Sequence, residues 1–514
     1  MTPKKLLKRI RAARGETPAD LVLKGGSVID VFSGKIIETG VAITDDTIVG
    51  LGSYSGKTTI DCQGQFICPG FIDGHLHIES TYLIPSNLAP VLLPMGTTTI
   101  ISDPHEIANV QGLAGLDFML QNSRGLPLEI YFMAPSCVPA SPLETSGAHL
   151  SDRDLRSLLQ NPRILGLGEM MNFPGVLEGD SEILKKVSAF SHRIKDGHAP
   201  LLTGKDLCAY IGSGIRSDHE ATGLKEGAEK LFMGMFIMIR EGTQARNLKA
   251  LLPLVTPLTS RRCLLVSDDR HPLDLKEEGH LNSILKKAVR QGLDPVLAIQ
   301  MVTLNPAEYF GLRHLGAVAP GYQADLVILK SLSSFEVQAV YKKGRLVARN
   351  GRFEGDPLPL SGTDPITAMH IKPYTARQFR IPAQGKWARV IQLVPGQILT
   401  RRLRHKMEEK DGYIFLNPKE DIVTLACVER HKRTGNIGLG LVKGFGLVRG
   451  ALASSVAHDA HNILVAGGDP KDMYLAVRTV EAMNGGLVVV IENKVAAAVP
   501  LPIAGLMSDQ PFET

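Results

Sequence analysis

The sequence predicts an α/β protein built on a (β/α)8 barrel, flanked by a discontinuous small β-sandwich and followed by a C-terminal α/β domain. Three observations predict it. Residues 69–310 alternate short apolar, strand-like runs with helical stretches, and about 240 residues is the usual size of such a barrel. Several of those runs end in a polar or charged residue, at the end of the strand where a barrel gathers its active site. On either side, residues 1–68 and 311–350 contain short β-branched runs separated by turn residues, so the two segments are expected to pair.

Taken in order, residues 1–18 read as a helical lead-in. Its basic stretch Lys4-Lys5-Leu6-Leu7-Lys8-Arg9-Ile10-Arg11 is a solvated helix with one apolar stripe, and no apolar h-region follows to make it a signal peptide. Leu21-Val22-Leu23, Ser27 to Val31, Val41-Ala42-Ile43 and Thr47-Ile48-Val49 are strands, with Gly25-Gly26 and Asp45-Asp46 as the turns between them. Inside the barrel segment, Thr97 to Ser102, Leu128 to Met133, Ile164 to Glu169 and Cys263 to Asp268 are strand-like. Gly321 to Leu329 and Gln338 to Val347 return to the sandwich pattern. Residues 351–385 lack periodicity and read as a linker, and residues 386–514 form the last domain. There, Asp469-Pro470 followed by Met473, Leu475, Ala476, Val480 and Met483 is a capped amphipathic helix that ends at Gly485-Gly486. Leu487 to Ile491 is then a buried strand.

Composition narrows the function classes. Apolar residues make up 44% and charged residues 21% of 514, with a net charge of only +5, which is ordinary for a globular protein. No basic stripe with interleaved aromatics marks a nucleic-acid surface. No run of 18 apolar residues marks a membrane span. The six cysteines are scattered without a C-x-x-C pair, as expected of a cytoplasmic chain without disulfides.

The chemistry centres on Pro69-Gly70-Phe71-Ile72-Asp73-Gly74-His75-Leu76-His77. In an extended strand His75 and His77 share a face, where two imidazoles can chelate one divalent ion. Four further candidates stand at or near strand tips: Glu169, His198, His219 and Asp268. Read singly, each has an ordinary explanation as a cap, a turn or a surface residue. Together they keep register with a barrel. The successive intervals, from His77 to Glu169 and then on to His198, His219 and Asp268, are 92, 29, 21 and 49 residues. At roughly 30 residues per βα unit these place ligands on strands 1, 4, 5, 6 and 8. Four His, one Glu and one Asp make a site for two divalent ions, with Glu169 able to bridge and neutral imidazoles suiting Zn, Fe or Mn. A water held between two such ions loses a proton near neutral pH and becomes a nucleophile.

The motifs resemble one branch of the amidohydrolase superfamily, the bacterial and archaeal adenine deaminases. The resemblance runs from the His75-x-His77 strand through Ile78-Glu79-Ser80, Asp103 to Val110 and Gly168 to Gly175. It continues through Asp196 to Pro200, Gly214 to Glu220, Asp268 to Pro272, Gly450 to Asp459 and Leu501 to Asp509. It implies hydrolysis of adenine to hypoxanthine and ammonia in purine salvage, a binuclear centre of Mn2+ or Fe2+ (Zn2+ being the other candidate), and a homodimer or larger assembly. Asp268 is then the proton carrier and Glu169 the bridge. His105 and Glu106 follow the second strand and are expected to steer protons or hold the purine, although a Pro-led helix start would also explain them. Glu79, Arg216, Asp218, Glu220, Asp269 and Arg270 are candidates for contacting substrate. His458, Asp459 and His461 form a tight cluster open to two readings, a second metal site or a hydrogen-bonded packing node. The alternative function is a cyclic amidohydrolase acting on a hydantoin or dihydropyrimidine. Such relatives usually carry a carboxylated lysine on strand 4, where this chain has Glu169.

Overall fold

The computed structural model describes residues 1–355, 367–395 and 399–513. Eight parallel strands form the barrel: β1 (Phe71–Leu76), β2 (Thr97–Ser102), β3 (Glu129–Ala134), β4 (Ile164–Met170), β5 (Ile194–Gly197), β6 (Ser217–Asp218), β7 (Phe236–Arg240) and β8 (Cys263–Val266). β1 to β5 pair in sequence, as do β6 to β8. Two seams close the ring. The Arg216 N–H donates to the Lys195 carbonyl (3.1 Å) between β5 and β6, and the Asp268 N–H donates to the His75 carbonyl (3.1 Å) between β8 and β1. The strands read as continuous apolar or β-branched runs because helices cover the barrel outside while side chains fill it inside. Thr97–Ser102 is buried at every position. Ile72, Ile101, Met133, Met238, Leu264 and Val266 pack together from five strands, with Phe310 against them. This plug leaves the opposite, C-terminal end of the strands for chemistry.

The flanking β segments share one sheet of nine strands, joined where Leu326–Leu329 pairs antiparallel with Phe66–Pro69. The sheet curls back on itself, and the Thr47–Gln323 bridge ties its edge strand Thr47–Leu51 to the residues just before Leu326–Leu329, around Val28, Ile43, Ile48, Leu326 and Ile328. One expectation changes here. Gly25-Gly26 is no turn: Ala19–Asp30 is a single strand, and the register slips between Leu23 and Gly26. Gly25 takes φ +73°, so the pair forms a bulge that bends the strand without ending it. Asp45-Asp46 does form the hairpin turn between Lys35–Thr44 and Thr47–Leu51.

Part of the expected linker, residues 356–366, lies outside the described residues. Beyond it, eight strands from Trp387–Leu393 to Lys494–Pro500 make a mostly antiparallel sheet. The helix Pro470–Ala482, whose cap Asp469 accepts from the Lys471 N–H (2.6 Å), packs Met473, Ala476, Val477 and Val480 on one face of it. After the strand Ala451–Ser454 the chain leaves this sheet and turns toward the barrel, where the Asn462 side chain donates to the Thr145 carbonyl (3.0 Å).

A buried ion cluster fastens the curled sheet to the N-terminal end of β3. Lys342 Nζ contacts Asp325 (2.6 Å) and Glu129 (2.8 Å). Burial raises the Glu129 carboxyl, but Lys342 overrides it and holds the group down at about 2. A carboxyl depressed on folding adds stability above its unfolded value, and that stability is lost as pH falls toward the folded one. Acid unfolding of Glu129→Gln should therefore lack a contribution on the order of 3 kcal/mol that the parent loses between about pH 5 and pH 2. Parallel denaturant titrations across that range measure the difference, and identical pH slopes would contradict it.

Candidate metal centre at the mouth of the barrel

The six predicted ligands meet at the C-terminal ends of the strands they were assigned to. His75 lies on β1 and His77 just past its end. Glu169 is on β4. His198, His219 and Asp268 follow β5, β6 and β8. All are buried except His198, whose side chain is 21% exposed and faces the opening. The two oxygens of Glu169 serve two different nests. Oε2 is 2.6 Å from His198 Nδ1 and 2.9 Å from His219 Nε2. Oε1 is 3.4 Å from His77 Nε2, which is itself 3.4 Å from Asp268 Oδ1. Asp268 Oδ1 is in turn 3.5 Å from His75 Nε2.

Neighbouring groups aim these ligands. His77 Nδ1 lies 2.9 Å from the Asp103 carbonyl, so that nitrogen carries the hydrogen and Nε2 keeps its lone pair for a metal. Asp103 Oδ2 accepts the Glu169 N–H (2.8 Å). Gly168 is what lets it approach: a Cβ there would stand 2.1 Å from Asp103 Oδ2. Arg240, at the tip of β7, grips Glu220 with both terminal nitrogens and holds Asp268 Oδ2 at 2.9 Å, leaving Oδ1 to the histidines. Asp268 itself takes φ +55°, a left-handed conformation that Asp tolerates better than most residues.

Electrostatics favour cations. Burial opposes the Glu169 carboxylate, but His219 and His198 outweigh it and hold the group well below the usual range. Burial opposes Asp268 as well, and Arg240 with His75 and His77 holds it low. His75 Nε2, His105 Nδ1 and His219 Nδ1 are buried without a hydrogen bond. Buried polar groups are rarely left so, and nitrogen and carboxylate donors without a thiolate suit a divalent ion.

The remaining candidates divide. His105 opens the helix His105–Asn122, so the helix-start reading holds, and its Nδ1 also lies 3.3 Å from Glu169 Oε1. Glu106 sits farther out, where the Ser80 hydroxyl lies between it (3.0 Å) and Asp269 (2.6 Å). Glu79 accepts the Ile107 N–H (3.1 Å), and burial with the charge of Glu106 pushes it up to about 7. Glu220 supports the ligands through Arg240.

Three expected substrate contacts are corrected. Arg216 precedes β6, at the far end of the barrel, and is exposed. Asp218 is consumed by Lys230 (2.9 Å) and by the N–H groups of Ala199, Glu220 and Ala221. The buried Arg270 spends its guanidinium on the carbonyls of Gly279 and Glu241 and on Glu278. Sequence reasoning missed Arg240 and Asp103. Arg240 carried a usable signal, since Phe236-Ile237-Met238-Ile239-Arg240 is another apolar run with a charged tip.

A closed parallel barrel with imidazoles and carboxylates converging on its C-terminal mouth defines a metal-dependent hydrolase of the amidohydrolase class, and residues 66–347 match the family model described as "Amidohydrolase family". Residues 397–514 match the model described as "Adenine deaminase C-terminal domain". A protein of Desulfatibacillum aliphaticivorans named "Adenine deaminase" is 49% identical over 98% of this chain and 89% of its own length. "Adenine deaminase 2" of Carboxydothermus hydrogenoformans is 47% identical over 98% of this chain and 88% of its own. The chain belongs to the adenine deaminase family. Among solved structures, a β-aspartyl dipeptidase from Fervidobacterium islandicum shares the fold, with a TM-score of 0.51 and 17% identity over 65% of this chain and 98% of its own.

Replacing Gly168 by Ala should displace Asp103 and with it the Glu169 backbone. Metal content of the purified Gly168→Ala chain is expected to fall well below the parent's; full loading would show that the close approach is dispensable.

Proposed function

We propose that this chain deaminates adenine hydrolytically, giving hypoxanthine and ammonia, with two divalent cations held by His75, His77, Glu169, His198, His219 and Asp268. The observation that carries the two-cation reading is the division of the two Glu169 oxygens between separate nests of imidazole. Membership of the adenine deaminases carries the substrate. The family resemblance favours Mn2+, with Fe2+ and then Zn2+ as alternatives that the same donor set accepts. Bound there, the cations would supply a hydroxide at neutral pH to add to C6 of the purine.

The side chains do the rest. Glu169 keeps the two nests in register. Asp268, oriented by Arg240, takes one proton of the water and returns it to the departing amino group, while the other proton ends on a ring nitrogen of the purine. His105 lies against Glu169 and can pass a proton outward. Glu79, with its carboxyl lifted to about 7, can hold or release a proton near neutral pH next to Glu106. Asp269, tied to Ser80, lines the same rim. The cyclic-amide alternative is not favoured, since the tip of β4 presents Glu169 where those enzymes place a lysine. Six unpaired cysteines support a reducing cytoplasm, and the family resemblance supports a homodimer with no nucleic-acid or membrane partner. No helix among the described residues is long and apolar enough to cross a membrane.

Ultraviolet assay of the Mn-loaded chain should show adenine converted to hypoxanthine, with hydantoin and dihydrouracil untouched; the reverse pattern would overturn the substrate. Asp268→Asn should keep its fold and lose roughly 10²–10⁴-fold in kcat. An unchanged kcat would remove Asp268 from proton transfer.

A further inference from the structure

The turn that leaves the C-terminal sheet, His458 to His461, ends at the metal centre without belonging to it. Asp459 Oδ1 is 3.9 Å from His105 Nε2, and the other nitrogen of that ring faces Glu169. His458 Nδ1 is 3.7 Å from Glu106 Oε1, and His461 Nε2 is 3.8 Å from Glu106 Oε2. Glu79 Oε2, Glu106 Oε2 and His461 Nε2 are all buried here with no hydrogen-bond partner among the described residues. Each such orphan costs on the order of 1–3 kcal/mol, so the cluster is built to meet a polar ligand.

The tautomer of His461 decides which kind. The Ala457 N–H donates to His461 Nδ1 (3.1 Å), so the neutral ring carries its hydrogen on Nε2. Burial, with His458 and Arg430 nearby, holds His461 neutral by keeping its pKa well below the usual value. Nε2 therefore offers a hydrogen and not a lone pair, the reverse of His77. A third metal ion is poorly served by that arrangement. A purine base is well served, because its edge alternates ring-nitrogen acceptors with N–H donors, matching an imidazole N–H beside carboxylates.

The turn is held rigidly. Arg430 is fully buried with no carboxylate partner among the described residues, and it gives its guanidinium to the carbonyls of His461, Ala368 and Ala504. His458 also lines a cleft of about 380 Å³ between the loop after β3 and the C-terminal sheet, together with Glu144, Glu429 and Asn462. The side chains of His458 and Asp459 are 39% and 33% exposed, the accessible members of the cluster.

We propose that the C-terminal sheet unit completes the active site, with His458, Asp459 and the His461 Nε2–H binding the purine beside Glu106 while Arg430 positions the turn. This rests on the adenine reading above. The test is steady-state kinetics of the metal-loaded full chain, with metal content and thermal transition measured on each variant. His458→Ala and Asp459→Asn should keep the parent's metal content and raise KM for adenine about tenfold or more, with a smaller change in kcat. His458→Gln, which retains a donor, should recover part of the loss. Arg430→Lys should raise KM in the same direction without altering metal content. KM values within twofold of the parent's in both His458→Ala and Asp459→Asn would overturn the assignment. So would a third metal equivalent that the parent binds and His458→Ala loses. A parent chain that loads metal but leaves adenine unchanged would reject the adenine reading, and this assignment with it.

Discussion

One carboxylate organises this molecule. Glu169 turns each oxygen toward a different set of imidazoles, and that division is only available because it stands at the tip of β4, between histidines delivered by β1 on one side and by β5 and β6 on the other. Closure of the barrel puts Asp268 across from it, next to His75 and His77. The apolar plug below and the helices outside exist in service of that arrangement. They bury the carboxylates where an uncompensated charge would be expensive and a cation is the natural compensation.

Support for the centre comes from groups that never touch a reacting atom. Asp103 fixes the backbone of Glu169 with its side chain and the tautomer of His77 with its carbonyl. Arg240 joins Glu220 to Asp268. The C-terminal sheet adds a second ring of acid and imidazole around the mouth, tied down by a buried guanidinium. The hydrogen positions separate the two rings. The Asp103 carbonyl facing His77 leaves its Nε2 a lone pair, and the Ala457 N–H facing His461 leaves its Nε2 a hydrogen.

Much of this was legible in the chain. The His75-x-His77 pair and the intervals to Glu169, His198, His219 and Asp268 gave the correct strand for every candidate ligand, because βα units impose a near-constant spacing. Hydrophobic pattern and capping also placed the start of the helix Pro470–Ala482, while its observed end comes three residues before the expected Gly485-Gly486. What stayed hidden depends on pairing in space. Arg270 and Asp218 look available in sequence, but their hydrogen bonds are spent on groups 2 to 29 residues away, pairings that spacing alone does not reveal. Arg216 sits two residues before Asp218 and so falls at the wrong end of a very short strand. Gly25-Gly26 reads as a turn, and only the partner strand shows it to be a bulge. Arg430 has no local signal at all, since its three partners come from distant segments.

The central claim is that Glu169 divides two cations between two nests. Its most direct test is to strip the chain of metal and add Mn2+ in measured equivalents while following adenine turnover. Activity should rise until two equivalents per chain are bound and then level off. Full activity at a single equivalent would contradict the two-nest account.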